Sequence, residues 1–281
     1  MPDRGALEAR GARYAWGERT YVMAIVNVTP DSFSGDGSVE ASGAVTRALA
    51  QWDAGADLLD VGGESTRPGH RPVDEATEIA RVVPVISQAR ERLPHAPISV
   101  DTYKPAVARA ARAAGADIVN SVWGAPDALL DAAAELDMPI VVMHNQLGTE
   151  YDGDVVDAVL GYLDDCATRA VLRGIAAERV LLDPGIGFGK TADHNLAVLR
   201  SLERLCGLGF PTLIGASRKS TIGKLTGREP RDRAFGTVAT TALAVKAGID
   251  VVRVHDVAAA RDAVAVADAI VRDWRPAAWL G

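Results

Sequence analysis

Two aspartates stand at the ends of apolar runs, Asp101 in Ile98-Ser-Val-Asp and Asp183 in Val180-Leu-Leu-Asp. A carboxylate in a pocket can accept paired hydrogen bonds from a guanidine-like N–C–N edge, such as a purine or a pterin presents. Asn120, ending Ile118-Val-Asn, adds both a donor and an acceptor. Lys219, in Gly215-Ala-Ser-Arg-Lys-Ser220, can donate to a carbonyl or a ring nitrogen. Ser220 opens a helix there, and the amides beside it suit a carboxylate. Arg253 and His255 alternate in a strand-like run, so both face the same side. With Asn27 and Arg67 they make a pocket of the kind that binds a diphosphate. Asp101 has an alternative reading as a helix cap, because Lys104-Pro105 opens a helix. Asp183 is followed too closely by Pro184-Gly185 for a cap. Met143 is either core filler or part of a site wall.

These residues need a frame that brings them together. The segment Tyr21 to Gly37 is a run of apolar, mostly β-branched residues that empties at Asn27 into a polar, glycine-bearing loop. A unit of helix, Ala-Gly-Ala-Asp and apolar strand occurs at 54–61 and 114–120, with a variant at 247–255. Strands are expected at 22–27, 58–61, 98–101, 118–121, 140–144, 180–183, 212–215 and 251–255. Helices are expected at 40–54, 74–93, 104–114, 126–136, 154–174, 193–208, 232–247 and 257–273. This alternation predicts an α/β fold, a (β/α)8 TIM barrel, as one domain over 1–281. No GxGxxG opens a helix, which disfavours a dinucleotide fold. Residues 1–12 read as a loose tail. A short hairpin arm is expected next, with 13–16 and 20–22 flanking a Gly17-Glu18-Arg19 turn. The strand ends then converge on one mouth, presenting Asn27, Glu64, Asp101, Asn120, His144, Asp183, Ser217 with Lys219, and Arg253 with His255.

Composition limits the function classes. Net charge is −7 and the pI about 5.3, which argues against broad nucleic-acid or anionic-membrane binding. The two cysteines, Cys166 and Cys206, lack metal-ligand or CxxC spacing and read as reduced thiols of a cytoplasmic protein. The charged first residues do not read as a signal peptide, and no apolar run reaches the length of a membrane span.

Six motifs in order, NVTPDSFS at 27–34, GGESTRPG at 62–69, SVDT at 99–102, LDPGIGFGKT at 182–191, GASRKS at 215–220 and RVHDV at 253–257, resemble the dihydropteroate synthase family. The resemblance covers about residues 20 to 257 and implies a barrel enzyme of folate synthesis. It would condense 4-aminobenzoate with 6-hydroxymethyl-7,8-dihydropterin diphosphate and release diphosphate. By motif match, Asp101, Asn120, Asp183 and Lys219 would hold the pterin. Asn27, Arg67, Arg253 and His255 would hold the diphosphate, with Asn27 also contacting Mg2+. Thr66, Pro68, Phe188, Ser220 and Phe33 would line the aminobenzoate site. Loops 28–38 and 64–73 would close over the reaction. A homodimer through the C-terminal helices is also implied, with Trp274 and Trp279 either at that contact or on the barrel's underside.

The chain departs from the family pattern at three places. Gly35-Asp36-Gly37 shifts an acid by one position, Ser121 replaces an Asp after Asn120, and Asn145-Gln146 replaces Met-Gln after His144. These keep a catalytically weak pterin-binding paralogue as an alternative. A pterin-dependent methyltransferase would have no use for the Ser-Arg-Lys and Arg-Val-His residues. A generic phosphosugar barrel would leave the acceptor pattern unexplained.

Overall fold

A computed structural model describes residues 4–28, 37–65 and 72–276. The chain opens with an antiparallel hairpin of β1 (Ala6–Ala9) and β2 (Ala12–Ala15). Its turn is Arg10-Gly11, with φ of 51° and 79°, the positive values that match the twist of a two-residue hairpin. The hairpin therefore lies one segment earlier than expected. Residues 6–9 are a strand rather than a loose tail, and Gly17-Glu18-Arg19 leads into the barrel instead of joining two hairpin strands. The alanine-rich sequence carries little strand preference of its own. Burial of Leu7, Tyr14 and Trp16 decides the conformation.

Eight parallel strands follow, β3 (Tyr21–Asn27), β4 (Leu58–Gly62), β5 (Ile98–Asp101), β6 (Ile118–Ser121), β7 (Ile140–Met143), β8 (Val180–Asp183), β9 (Leu213–Ile214) and β10 (Val251–Val254). They pair in the order β8-β7-β6-β5-β4-β3-β10-β9. A parallel bridge between Leu182 and Thr212 closes the ring, with the Leu182 N–H donating to the Pro211 carbonyl at 2.9 Å. Outside the strands run α1 (Gly37–Asp53), α2 (Glu75–Arg92), α3 (Pro105–Ala114), α4 (Asp127–Glu135), α5 (Val155–Leu172), α6 (Ala192–Arg200), α7 (Leu202–Cys206), α8 (Ser220–Thr226), α9 (Ala234–Ala247) and α10 (Val257–Val271). The expected (β/α)8 barrel is thus present. Most element ends lie within three residues of expectation, and two elements depart further in continuity or length. The helix expected over 193–208 breaks at Ser201 into α6 and α7, and the seventh barrel strand is only two residues long.

The Ala-Gly-Ala-Asp units have a shared structural purpose. Gly55, Gly115 and Gly248 end their helices at φ of 94°, 109° and 98°, a left-handed turn that an L side chain resists. The aspartate then binds the backbone of the preceding barrel strand. Asp57 accepts from Val22 N–H at 2.8 Å, Asp117 from Ile98 N–H at 2.9 Å and Asp250 from Thr212 N–H at 2.8 Å. Arginines neutralise each one: Arg19 and Arg261 at Asp57, Arg10 and Arg90 at Asp117, and Arg4 at Asp250. Asp117→Ala should cost about 2–4 kcal/mol of stability, because a strand N–H and two arginines lose their shared acceptor. Urea unfolding would measure that cost, and kcat should stay within twofold because Asp117 lies at the end of the barrel away from the mouth.

Strand alternation divides the interior. Val22, Ala24 and Val26 face the helices, as do Ile98, Val100, Ile140, Val142, Val252 and Val254. Met23, Leu58, Ile118, Val141, Leu181, Leu213 and Val251 point inward and pack on Tyr14, Trp16 and Tyr21. This apolar plug, covered by the hairpin, fills the lower barrel. Two residues further along each strand the same inward parity brings Asp60, Asn120, Met143, Asp183 and Arg253 above it. Trp274 is on the underside. The Arg19 guanidinium is 5.8 Å from its ring and 4.1 Å from that of Tyr21. Trp279 lies outside the described residues. Cys166 and Cys206 are buried free thiols. Among the described residues, no helix is long and apolar enough to cross a membrane.

Candidate active site

Asp101 ends β5 directly opposite Asn120 on β6, and Met143 ends β7 opposite Asp183 on β8. Arg253 reaches across this group from β10. Its Nε donates to Asp60 Oδ2 at 2.6 Å and its Nη2 to Asp101 Oδ2 at 2.9 Å. Asn120 Nδ2 also donates to Asp60 Oδ2, at 3.0 Å. The second oxygens of Asp60 and Asp101 are buried without a hydrogen-bond partner among the described residues. The orphaned Asp101 oxygen beside the Asn120 amide can take N–H donors from a ligand, whereas Asp60 is fully buried. Burial and the neighbouring Asp60 carboxylate push the Asp101 carboxyl upward, while Arg253 pulls it back. Burial likewise raises Asp183 to about 6, against the lowering effect of its Gly185 hydrogen bond and of Lys219. Asp101 does not cap α3, whose N-cap is Lys104 with no side-chain cap bond. Asp183 does bind its own loop, accepting from Gly185 N–H at 2.8 Å.

The loop after β8 brings Phe188 to Lys219, whose Nζ lies 3.8 Å from the ring centroid. Gly187, at φ 81°, is required there, since a Cβ would sit 2.9 Å from Lys219 Cδ. Lys219 is aimed by a strained turn. Arg218 has φ of 57°, held by a fork onto Asp256 and by its N–H donating to Thr237 Oγ1 at 3.1 Å. Ser220 is the first residue of α8. On β10, His255 follows Arg253 by two residues. The Ser217 Oγ lies 3.0 Å from His255 Nδ1 and accepts the His255 backbone N–H at 3.2 Å. Burial, then Arg218, Arg253 and Lys219, lower His255 to about 4, so it is a neutral imidazole at physiological pH. Asn27 ends β3 at the rim, with its backbone carbonyl accepting from Arg47 Nη2 at 2.9 Å.

Three residues expected on the polar ring do other work. Glu64 turns away to a buried cluster, accepting from Lys104 Nζ at 2.6 Å, and Lys104 also pairs with Glu78 at 2.5 Å. His144 lies beyond β7 on the parity opposite to Met143. Its ring packs between Tyr151 and Tyr162, and burial with nearby Lys190 lowers it to about 4. Ser217 supports His255. Phe33, Thr66, Arg67 and Pro68 lie outside the described residues.

Two contributors were not anticipated. Asp60 sits inside its strand, away from the end, and only inward parity with Leu58 and Gly62 could have revealed it. Lys190, the last lysine of the glycine-rich motif, is buried and donates to the carbonyls of Gly185 at 3.2 Å and Phe188 at 3.1 Å, with His144 Nδ1 at 2.9 Å. Burial lowers Lys190 to about 7. Lys190→Met should release the loop under Phe188 and cut kcat/KM by about tenfold to a hundredfold, since small misplacements at a site are costly. Unfolding by urea beside steady-state kinetics would separate that effect from a loss of fold.

The fold and site define a (β/α)8 barrel enzyme whose mouth pairs an N–H-reading pocket with arginine, lysine and histidine donors. A family profile for pterin binding enzymes matches residues 23–255. The chain is 45% identical over 260 residues to the dihydropteroate synthase of Clostridium beijerinckii, covering 91% of this chain and 96% of that protein. It is 44% identical to that of Bacillus subtilis, covering 89% and 88%. Among solved structures, Xanthomonas albilineans dihydropteroate synthase with 4-aminobenzoic acid superposes with a TM-score of 0.89 at 45% identity, covering 96% of this chain and 98% of that one. The same enzyme in complex with 7,8-dihydropteroate gives a TM-score of 0.86 at 44% identity, covering 94% and 98%. The chain belongs to the dihydropteroate synthase family of pterin binding enzymes.

Proposed function

We propose that this chain joins 4-aminobenzoate to 6-hydroxymethyl-7,8-dihydropterin diphosphate and releases diphosphate. The observation that carries this reading is the acceptor-rich pocket at the mouth, where Asp101 and Asn120 stand side by side near Asp60 and Arg253. A pterin offers the N–H edges such a pocket lacks. Asp101, Asn120, Asp183 and Lys219 bind the pterin. Asn27, Arg67, Arg253 and His255 bind the diphosphate, with His255 as a neutral donor. Arg253 is already shared between two carboxylates, so it turns its remaining donors to the anion. Thr66, Pro68, Phe188 and Ser220 line the aminobenzoate pocket with Phe33, and Met143 forms its wall toward the pterin.

In the reaction the pterin methylene C–O bond breaks and its electron pair leaves with the diphosphate. The neutral amine attacks the resulting cation and then gives up a proton. Little base catalysis is needed, so the chain contributes position and charge stabilisation. Among the described residues, no group of three His, Cys, Asp or Glu gathers to hold a metal. Asn27 offers one amide oxygen at the rim, which suits an ion ligated largely by phosphate oxygens. Mg2+ held there would neutralise charge on the leaving group.

A cytoplasmic homodimer completes the reading. Phe235 and Leu243 on α9 and Val266 and Ile270 on α10 are exposed apolar side chains on two helices packed together. Light scattering at micromolar protein would report the dimer mass, and a monomer would overturn it. The functional test is dihydropteroate formation, followed by chromatography, from the pterin diphosphate, 4-aminobenzoate and Mg2+. Product that requires all three is expected. Tight binding of the pterin diphosphate with no product would instead identify a catalytically inactive paralogue.

A further inference from the structure

Asp60 is fully buried, yet no substrate contact is assigned to it above. A carboxylate without solvent is costly unless its partners compensate. Here the partners are two groups of the site itself. Asp60 Oδ2 accepts from Asn120 Nδ2 at 3.0 Å and from Arg253 Nε at 2.6 Å. Asp60 Oδ2 is the acceptor in both contacts, so the Asn120 amide presents its NH2 to Asp60. That orientation leaves Asn120 Oδ1 as the atom offered to a ligand. The same contact fixes the Arg253 fork, whose Nη2 is anchored on Asp101 at 2.9 Å.

We propose that Asp60 is a positioning residue that makes Asn120 a hydrogen-bond acceptor at the heterocycle site and sets the plane of Arg253 beside it. The specificity of the pocket for an N–H edge then depends on a residue that does not touch the ligand. An amide in place of the carboxylate could donate as well as accept, and Asn120 could turn over to present NH2 where the ligand also presents N–H. The consequence is repulsion at one edge and a loss of discrimination, with the barrel otherwise intact. This inference rests on the pterin reading of the preceding section.

The test is a double-mutant cycle read by calorimetric binding of 6-hydroxymethyl-7,8-dihydropterin diphosphate with Mg2+. Wild type, Asp60→Asn, Asn120→Ala and the double variant are compared. Asp60→Asn is expected to weaken binding by roughly thirtyfold in the wild-type background but by no more than about fivefold when Asn120 is already alanine, because coupled residues are non-additive. A merely structural Asp60 would weaken binding by the same factor in both backgrounds, and that result would overturn the proposal. If Asp60→Asn fails to fold, Asp60→Ser in the same cycle reads the same coupling. A wild-type protein that does not bind the pterin diphosphate would overturn the substrate reading and this inference with it. Wild-type binding with an additive cycle would overturn this inference alone.

Discussion

Asp183→Asn should lower kcat/KM for the pterin diphosphate by roughly a hundred- to a thousandfold while leaving the fold in place, and Lys219→Ala should do the same. One Asp183 oxygen is committed to Gly185 N–H at 2.8 Å, which leaves the other available to a ligand's N–H group. An asparagine keeps the shape, but half of its polar surface becomes a donor facing a donor. The loop bond to Gly185 survives through the amide oxygen, which holds that oxygen inward and turns the NH2 toward the ligand. Lys219 is aimed by the left-handed Arg218 and packed on Phe188, so truncation removes the charge without disturbing the turn. Steady-state kinetics with both substrates, beside circular dichroism, measures both variants. Near-normal kcat/KM in both would sink the assignment of this pocket.

Much of the fold was legible because local rules and tertiary structure agree here. Each Ala-Gly-Ala-Asp unit encodes a helix end, a left-handed glycine and a strand start in one short string. The hairpin was misplaced because Ala6 to Ala9 has no strand signal of its own, whereas Gly17-Glu18-Arg19 has a strong turn signal. Burial of Tyr14 and Trp16 under the barrel overrides both. At the mouth, the residue that ends a strand could be read from sequence, but not the wall it faces. His144 follows Met143 by one position and therefore points to the opposite side. Glu64 carries a charge at a strand exit, and the lysine that captures it, Lys104, comes from 40 residues away. Asp60 was hidden because a charge inside an apolar strand looks like an exception until the strand's parity is compared with Arg253 on β10.

Arg253→Met should destabilise the protein, and by an amount that grows with pH. Arg253 is the cation shared by Asp60 and Asp101 at 2.6 and 2.9 Å, all three within the barrel. Removing it leaves two neighbouring carboxylates, with the Asn120 amide donating to Asp60 and the more distant Lys219 charge acting on Asp101. Breaking a buried ion pair from one side costs about 3–5 kcal/mol. The remaining acids can escape that cost by taking up a proton. In the wild type, burial and Asp60 already push Asp101 upward, and loss of the arginine removes a lowering influence on it. A raised carboxyl binds more protons in the folded than in the unfolded chain, so stability falls as pH rises above the unfolded value near 4 toward the raised folded value. The gap between wild type and variant should therefore be small at about pH 7 and open by about pH 9, because the wild-type Asp101 carboxyl is already raised to about 8 and the variant's lies higher still. Urea unfolding of both proteins at the two pH values measures it. An equal gap at both would mean that Arg253 contributes packing rather than charge.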